Sequence, residues 1–229
     1  MGDTLARSDL WSTQEKLILT AERLFAIHGL HGVSFRQIGL EAGSANSSAV
    51  QYHFGTKDEL VRAILLYRLP RLNERRSVLT ALASGDDIRS LLEGHLLPIM
   101  EHSELSDSYY LTFVEHVLCF STKSDPFDAL PEAYRYQRNE FIARVCARLP
   151  GVPEQLATAR IVDAISICLH TSAARERARR EGERVVSLRS LATMLLDSLV
   201  GYVTAPVSGA TWQALDADAT EVVSIGVSV

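Results

Sequence analysis

Three cysteines in 229 residues are too few and too scattered for a disulfide framework. Cys119, Cys146 and Cys168 lie in separate apolar, helix-like runs. They read as reduced interior thiols of a cytosolic protein, with a metal site or redox pair as the lesser reading. No run of about 18 uncharged apolar residues occurs, so no membrane span is expected. The opening MGDTLARSDLW lacks the apolar block of a secretory leader. Its Met-Gly start does not complete a myristoylation pattern, because Ala6 stands where Ser or Thr is wanted. There is no Gly-x-Ser-x-Gly elbow, no Gly-rich phosphate loop and no His-Glu-x-x-His pair. Glu115 and His116 are neighbours in sequence and so point apart on a helix. These absences argue against an enzyme, and nothing calls for a metal or a cofactor. Internal repeats and a convincing sheet are missing as well.

What is there is an apolar period close to 3.6 along nearly the whole chain, the pattern of an all-α protein. Leu17, Ala21, Leu24, Phe25 and His28 share one face of a first helix over about 13–29, ended by Gly29. Ser34 and Gln37 form a capping-box pair for a second helix, with Ile38 and Leu40 as its apolar contacts and Gly43 as its end. A very short helix covers about 48–54. Thr56 and Glu59 open a long one that reaches about Leu82, with a kink or break expected near Leu69 because of Pro70. Asp86 or Asp87 starts the next, kinked by Pro98. Further helices are expected over Ser106–Phe120 and over Asp128–Leu149, the latter with Pro131 in its first turn. Pro153 suits the first position of the one that follows. That helix carries LATARIVDAISICLHTSAA, apolar almost all round and therefore buried. Ser187 starts the last. TAPVSGATW reads as loop, and the terminal VVSIGVSV alternates like a strand.

The segment SANSSAVQYHFGTKDEL concentrates polar side chains on something too short to stand alone in water. A helix of about seven residues is about 10 Å long and needs its neighbours as props. With Ala49, Val50 and Phe54 turned inward, Ser48, Gln51, Tyr52 and His53 are left outward. The small residues around Gly43 allow a sharp turn before it. This is helix-turn-helix geometry, and a major groove admits such a helix. Gln can bond adenine, while Tyr and His can bond phosphate or stack. Charge agrees. The chain carries a net −5, yet residues 1–83 hold 10 Lys and Arg against 8 Asp and Glu, whereas the remainder holds 13 against 20. A basic front and acidic rear suit DNA contact by the front alone.

In order and spacing, AERLFAIHG, VSFRQIGLEAG and YHFGTKDEL within residues 13–60 resemble the DNA-binding region of the tetracycline-repressor (TetR) family. The turn AGSANSSAV is one residue longer than the family's commonest form. Gln51 stands where a Tyr is usual, and Tyr52 follows it. The resemblance implies a three-helix DNA-binding domain over residues 1–57, ordered from about residue 12, and a larger helical effector-binding and dimerisation domain over 58–229, about nine helices in all. The expected DNA contacts are Ser34, Arg36, Gln37, Asn46, Ser47, Ser48, Gln51, Tyr52, His53 and Lys57. Each has an ordinary alternative: capping for Ser34 and Gln37, turn chemistry for Asn46, Ser47 and Ser48, aromatic packing for Tyr52 and His53, plain exposure for the rest. The implied partners are a near-palindromic double-stranded operator, a second copy of the chain and a small hydrophobic or amphipathic effector. The setting is cytoplasmic, with no membrane. A helical ligand-binding or interaction protein without DNA contact is the rival reading.

For the rear half the residues support the resemblance in part. Tyr109, Phe113, His116 and Phe120 recur on one helix face, either as ordinary core or as a pocket wall with His116 as polar anchor. His95 and His102 would need a third partner to hold a metal and read as core or surface residues. RERARREGER reads as a solvated helix end and loop. Ile161 and Ile165 on one helix, with Leu188, Leu191, Leu195 and Leu199 on the last, offer a four-helix dimer interface about a two-fold axis. Burial within one copy is the alternative.

Overall fold

Ten helices make up the residues described by this computed structural model, which are 12–44, 48–83, 85–120 and 130–218. There is one more helix than expected and no strand among them. Helix α1 (Thr13–His28) begins at a full capping box. Ser12 Oγ accepts from the backbone N–H of Glu15 at 3.2 Å, and the Glu15 carboxylate accepts from the N–H of Ser12 at 2.8 Å. Leu17, Ala21, Leu24 and Phe25 are buried on its inner face, but His28 is exposed rather than part of that stripe.

Helix α2 (Phe35–Glu41) starts where Ser34 Oγ accepts from Gln37 N–H at 3.2 Å. The reciprocal half of the expected box is absent, because the Gln37 amide donates to Glu41 Oε1 instead, at 3.2 Å. Ile38 is buried. Leu40 points outward, 76% exposed, and contributes no core contact. Gly43 follows with φ 72°, a left-handed conformation that an L side chain adopts only under strain. Helix α3 (Ala49–Phe54) is six residues long and is held by Ala49, Val50 and Phe54, all buried. Burying the Val50 side chain alone is worth about 1.5–3 kcal/mol, which a free six-residue helix could not supply itself.

Helix α4 (Lys57–Leu82) runs on through Pro70, so the expected interruption near Leu69 is not a break. Pro70 lies on the exposed side, where water can serve the carbonyl that loses its intrahelical partner. Its cap is Thr56, whose Oγ1 accepts from Glu59 N–H at 3.1 Å, while the Glu59 carboxylate turns to Arg62. Helix α5 (Ile88–His102) is likewise unbroken at Pro98 and is capped by Asp87, which accepts from Ser90 N–H at 3.1 Å. Helices α6 (Tyr110–Phe120) and α7 (Glu132–Cys146) follow, the latter with Pro131 just before its first residue. Both are shorter than the apolar pattern suggested.

Helix α8 (Glu154–Arg180) buries Ile161, Ala164 and Cys168 but leaves Asp163, Ile167 and His170 outside. It is amphipathic, not apolar all round. Burial pushes the Cys168 thiol up to about 12 and the Cys146 thiol up as well, so neither is a reactive thiolate. Helix α9 (Leu188–Thr204) is capped by Ser187, and helix α10 (Gly209–Asp218) occupies part of the segment read as loop. Ser208 Oγ starts α10 by accepting from Thr211 N–H at 3.2 Å. The strand-like VVSIGVSV lies outside the described residues.

One continuous apolar core runs from Leu17 of α1 to Val203 of α9. Helix α1 packs on α4 and α6, α4 packs on α5, and α8 packs on α5, α6 and α9. Among the described residues no single helix is long and apolar enough to cross a membrane.

Candidate functional site

The outer side of α3 presents Ser48, Gln51, Tyr52 and His53, all exposed, with Tyr52 at 84%. Tyr52 and His53 meet edge to face at 5.3 Å between ring centroids, so each steadies the other without burying either. Gln51 uses its amide to donate to the carbonyl of Gly55 at 2.6 Å, which leaves its side-chain oxygen outward. Ser34 and Arg36 are exposed on the neighbouring α2, and Gln37 is half-buried. Asn46 and Ser47 lie outside the described residues. Lys57 has a structural duty that the sequence did not reveal. Its ammonium donates to the carbonyl of Leu30 at 2.9 Å, pinning the start of α4 to the segment after α1. An ammonium has three donors, so two more remain for an outside acceptor.

The body of the protein holds this unit through buried polar contacts. Glu22 of α1, buried, takes a two-bond fork from Arg68 of α4 at 2.7 Å and 2.7 Å. The backbone N–H of Tyr109 also reaches Glu22, at 3.4 Å. Phe25 stacks on Phe113 of α6 at 6.2 Å, and the ring of His116 bonds the carbonyl of Phe25 at 3.1 Å. The face of α6 expected to line a pocket therefore packs on α1. Phe113 is fully buried, His116 is spent on that carbonyl, and Tyr109 lies under the Arg180 guanidinium at 4.1 Å. The side chain of Phe120 lies outside the described residues.

A cavity of about 150 Å³ does exist, one position further round the same helix. Tyr110, Leu111, Val114 and Leu118 of α6 face it. Leu69, Leu72, Asn73 and Arg76 of α4 close another side, and Ile165 and Leu169 of α8 a third. Ile165 is thus a cavity residue as well as a candidate interface residue. Arg76 and His95 also line a more open cleft of about 700 Å³ toward α7. His95 stacks flat on Phe141, with centroids 3.8 Å apart, and burial holds its imidazole well below the usual range. His102 bonds Ser108 Oγ at 3.0 Å, and burial brings it down to about 3. Among the described residues no cluster could hold a metal ion.

RERARREGER is not merely a solvated end. Glu176 is buried and accepts from the N–H groups of Leu111 and Thr112, at 3.3 Å and 3.0 Å, and from the Thr112 hydroxyl at 2.7 Å. It caps α6 from a different helix. Arg175, buried, forks onto Glu104. The signal for Glu22 was a carboxylate on the same face as Ile18, Ala21 and Phe25. Glu176 had no such signal, being one acid within an arginine-rich run.

The expected dimer residues divide. Ile161 and Leu199 are buried within the single chain, and Leu188, Leu191, Ile165 and Leu195 are half-buried. The apolar groups left exposed on α8 and α9 are their neighbours: Ile167, Met194 (65% exposed) and Tyr202, whose hydroxyl donates to Asp163 at 2.7 Å.

A short exposed helix propped by two others, wedged by α1 and α4 into a helical body with its own cavity, defines the class: a helix-turn-helix protein with an appended helical domain. Residues 17–64 match the family model described as bacterial regulatory proteins, tetR family. Over these residues the chain carries the helix-turn-helix domain of this family, a domain that supports a transcriptional regulator. No curated protein matches it. Among solved structures, a tetR-family transcription regulator from Shewanella sp. PV-4 superposes with TM-score 0.57 at 17% identity, covering 81% of this chain and 96% of that one. The ketosteroid transcriptional regulator KstR2 of Mycobacterium tuberculosis gives 0.53 at 18% identity, over 83% and 94%. AibR, solved with isovaleryl coenzyme A and operator DNA, gives 0.55 at 11% identity, over 86% and 100%. At these identities the likeness establishes the shared fold.

Proposed function

We propose that the protein is a cytoplasmic, non-enzymatic repressor that binds a near-palindromic operator as a homodimer and releases it when a small ligand enters the cavity between α4, α6 and α8. The carrying observation is the double duty of α6. Tyr110, Leu111 and Val114 face the cavity, while Phe113 and His116 grip Phe25 of α1. A ligand that reseats α6 or α4 must also move α1, and with it α3. A ligand shifts DNA affinity only by its differential binding to the two states. In this reading Ser34, Arg36, Gln37, Ser48, Gln51, Tyr52, His53 and Lys57 face DNA, with Asn46 and Ser47 in the turn beside them. Ile167, Met194 and Tyr202 carry the dimer contact, edged by Leu188, Leu191 and Leu195. Two readers related by a dyad reach successive major grooves about 34 Å apart. AibR, seen with both a small molecule and operator DNA, supports the pairing of the two functions on one such fold. The test is fluorescence anisotropy with DNA flanking the protein's own gene, with stoichiometry read at saturation. Two protomers per site and saltable, sequence-selective binding are expected. One protomer per site, or equal affinity for random DNA, overturns the reading.

A further inference from the structure

The cavity is lined by Arg76, Arg135 and Arg138, and by no Asp or Glu among the described residues. Arg76 projects from the last two turns of α4 into a half-buried position. Its Nε donates to the carbonyl of His95 at 3.1 Å and its Nη1 to Asn73 Oδ1 at 3.0 Å. Both acceptors are neutral, and no described carboxylate pairs with it. Arg68, Arg175 and Arg177 differ, being answered by Glu22, Glu104 and Glu115. Burial brings the Arg76 guanidinium down to about 10, so it still carries its charge at neutral pH. Arg138 acts with Arg76 on the same His95, whose imidazole stays neutral. Leaving a desolvated cation without a counter-charge is costly, and a guanidinium does not escape by losing its proton. Two of its five donors are taken, and the remaining edge suits the two oxygens of a carboxylate.

We infer that the ligand of this cavity is a compact organic carboxylate, its apolar body among Leu69, Ile99, Val114, Leu118, Ile165 and Leu169 and its two oxygens on Arg76. The size follows from the volume. An apolar cavity of about 150 Å³ takes a body the size of benzene. The assignment rests on the cavity being the effector site and adds the charge and size of what enters it.

Isothermal titration calorimetry of the full chain near neutral pH with benzoate, benzamide and benzylamine tests it. These probes share a ring and differ in charge. Benzoate should bind at least about tenfold more tightly than benzamide, with no measurable binding of benzylamine. Arg76→Gln should erase the preference for benzoate over benzamide. Arg76→Lys, which keeps the charge, should retain part of it, and circular dichroism checks that both variants fold. Benzamide or benzylamine binding as well as benzoate overturns the inference. So does an Arg76→Gln variant that keeps the preference, or the failure of all three probes to bind. Operator anisotropy run alongside separates this from the broader reading. Benzoate bound through Arg76 without any change in operator affinity leaves the carboxylate site standing and removes ligand release. A neutral or cationic probe that frees the operator does the reverse.

Discussion

Arg68 of α4 grips Glu22 of α1 through two hydrogen bonds of 2.7 Å, with Glu22 almost wholly buried and Arg68 nearly so. This fork ties the first helix of the DNA-binding unit to the helix that lines the cavity. Removing one partner strands the other in a poorly solvated place. Glu22→Leu should therefore destabilise the fold by about 3 kcal/mol or more. The double variant Glu22→Leu with Arg68→Met should recover most of that loss, because two apolar groups need no partner. Urea unfolding of the three proteins decides it. A single variant as stable as the parent, or a double variant worse than the single, counts against the account.

Glu176 should prove a cap rather than a surface charge. Glu176→Ala leaves the N–H groups of Leu111 and Thr112 and the Thr112 hydroxyl without their acceptor, for a loss of about 1–3 kcal/mol. Glu176→Gln keeps an acceptor oxygen and should cost less. The pH dependence has a definite sign. Burial raises the Glu176 carboxyl above its ordinary value. Its contribution is then fully present below the unfolded value and is lost as pH rises through the folded one. The Gln variant, which does not titrate, should gain on the parent over that rise. Thermal melts from mildly acid to neutral pH test this, and a gap that does not move with pH refutes it.

How far the sequence could be read follows from the range of each interaction. Val50, Phe54, Ser34 and Thr56 were legible because periodicity and capping are local, decided within about four residues. The order of the first four helices was legible for the same reason. The face of α6 was not. Tyr109, Phe113 and His116 recur at helical spacing whether they meet a ligand or α1, and only tertiary placement puts the cavity beside Tyr110 and Val114 instead. Leu188, Leu191, Leu195 and Leu199 marked an apolar stripe correctly, but much of it packs on α5 and α8 of the same chain, which no local pattern reveals. The structural contacts of Glu176 and Lys57 carried no local signal at all, since the donor to the first and the acceptor of the second lie 64 and 27 residues away.

Acid should weaken the fold through two histidines. Burial depresses His95 well below its ordinary value and brings His102 down to about 3. A base depressed on folding contributes stability that is complete above its unfolded value, about 6.5, and is lost as pH falls toward the folded one. The charges facing them, Arg76 and Arg138 at His95 and Arg68 and Arg71 at His102, act in the same direction. Each site should cost about 1.4 kcal/mol per pH unit below that point. His95→Phe, stacked on Phe141 like its parent, should remove about half of the slope. Urea midpoints collected from neutral pH down to about pH 4.5 measure it. A parent protein with no slope in that window, or a variant with an unchanged one, sinks the idea.

The reading helix supplies the last prediction. On the operator, Gln51→Ala should cost about 1–3 kcal/mol with little change on random DNA, because base reading is lost and phosphate contact is not. The Gln51 amide is held by the carbonyl of Gly55 at 2.6 Å, so pairing two-fold with adenine requires it to leave that carbonyl. Lys57→Ala should weaken specific and non-specific DNA about equally and lower the salt slope by about one unit. Its bond to the carbonyl of Leu30 adds a second effect, a loss of about 1 kcal/mol of stability that the Gln51 and Tyr52 variants should not share. Tyr52→Phe removes one exposed hydroxyl and should reduce affinity without altering the salt slope. Anisotropy titrations over a range of salt, on operator and scrambled duplexes, separate these patterns. If Gln51→Ala keeps the preferred sequence while Tyr52→Phe changes it, the base reader is Tyr52. The turn ahead of α3, one residue longer than the family's commonest form, then sets the helix one position round.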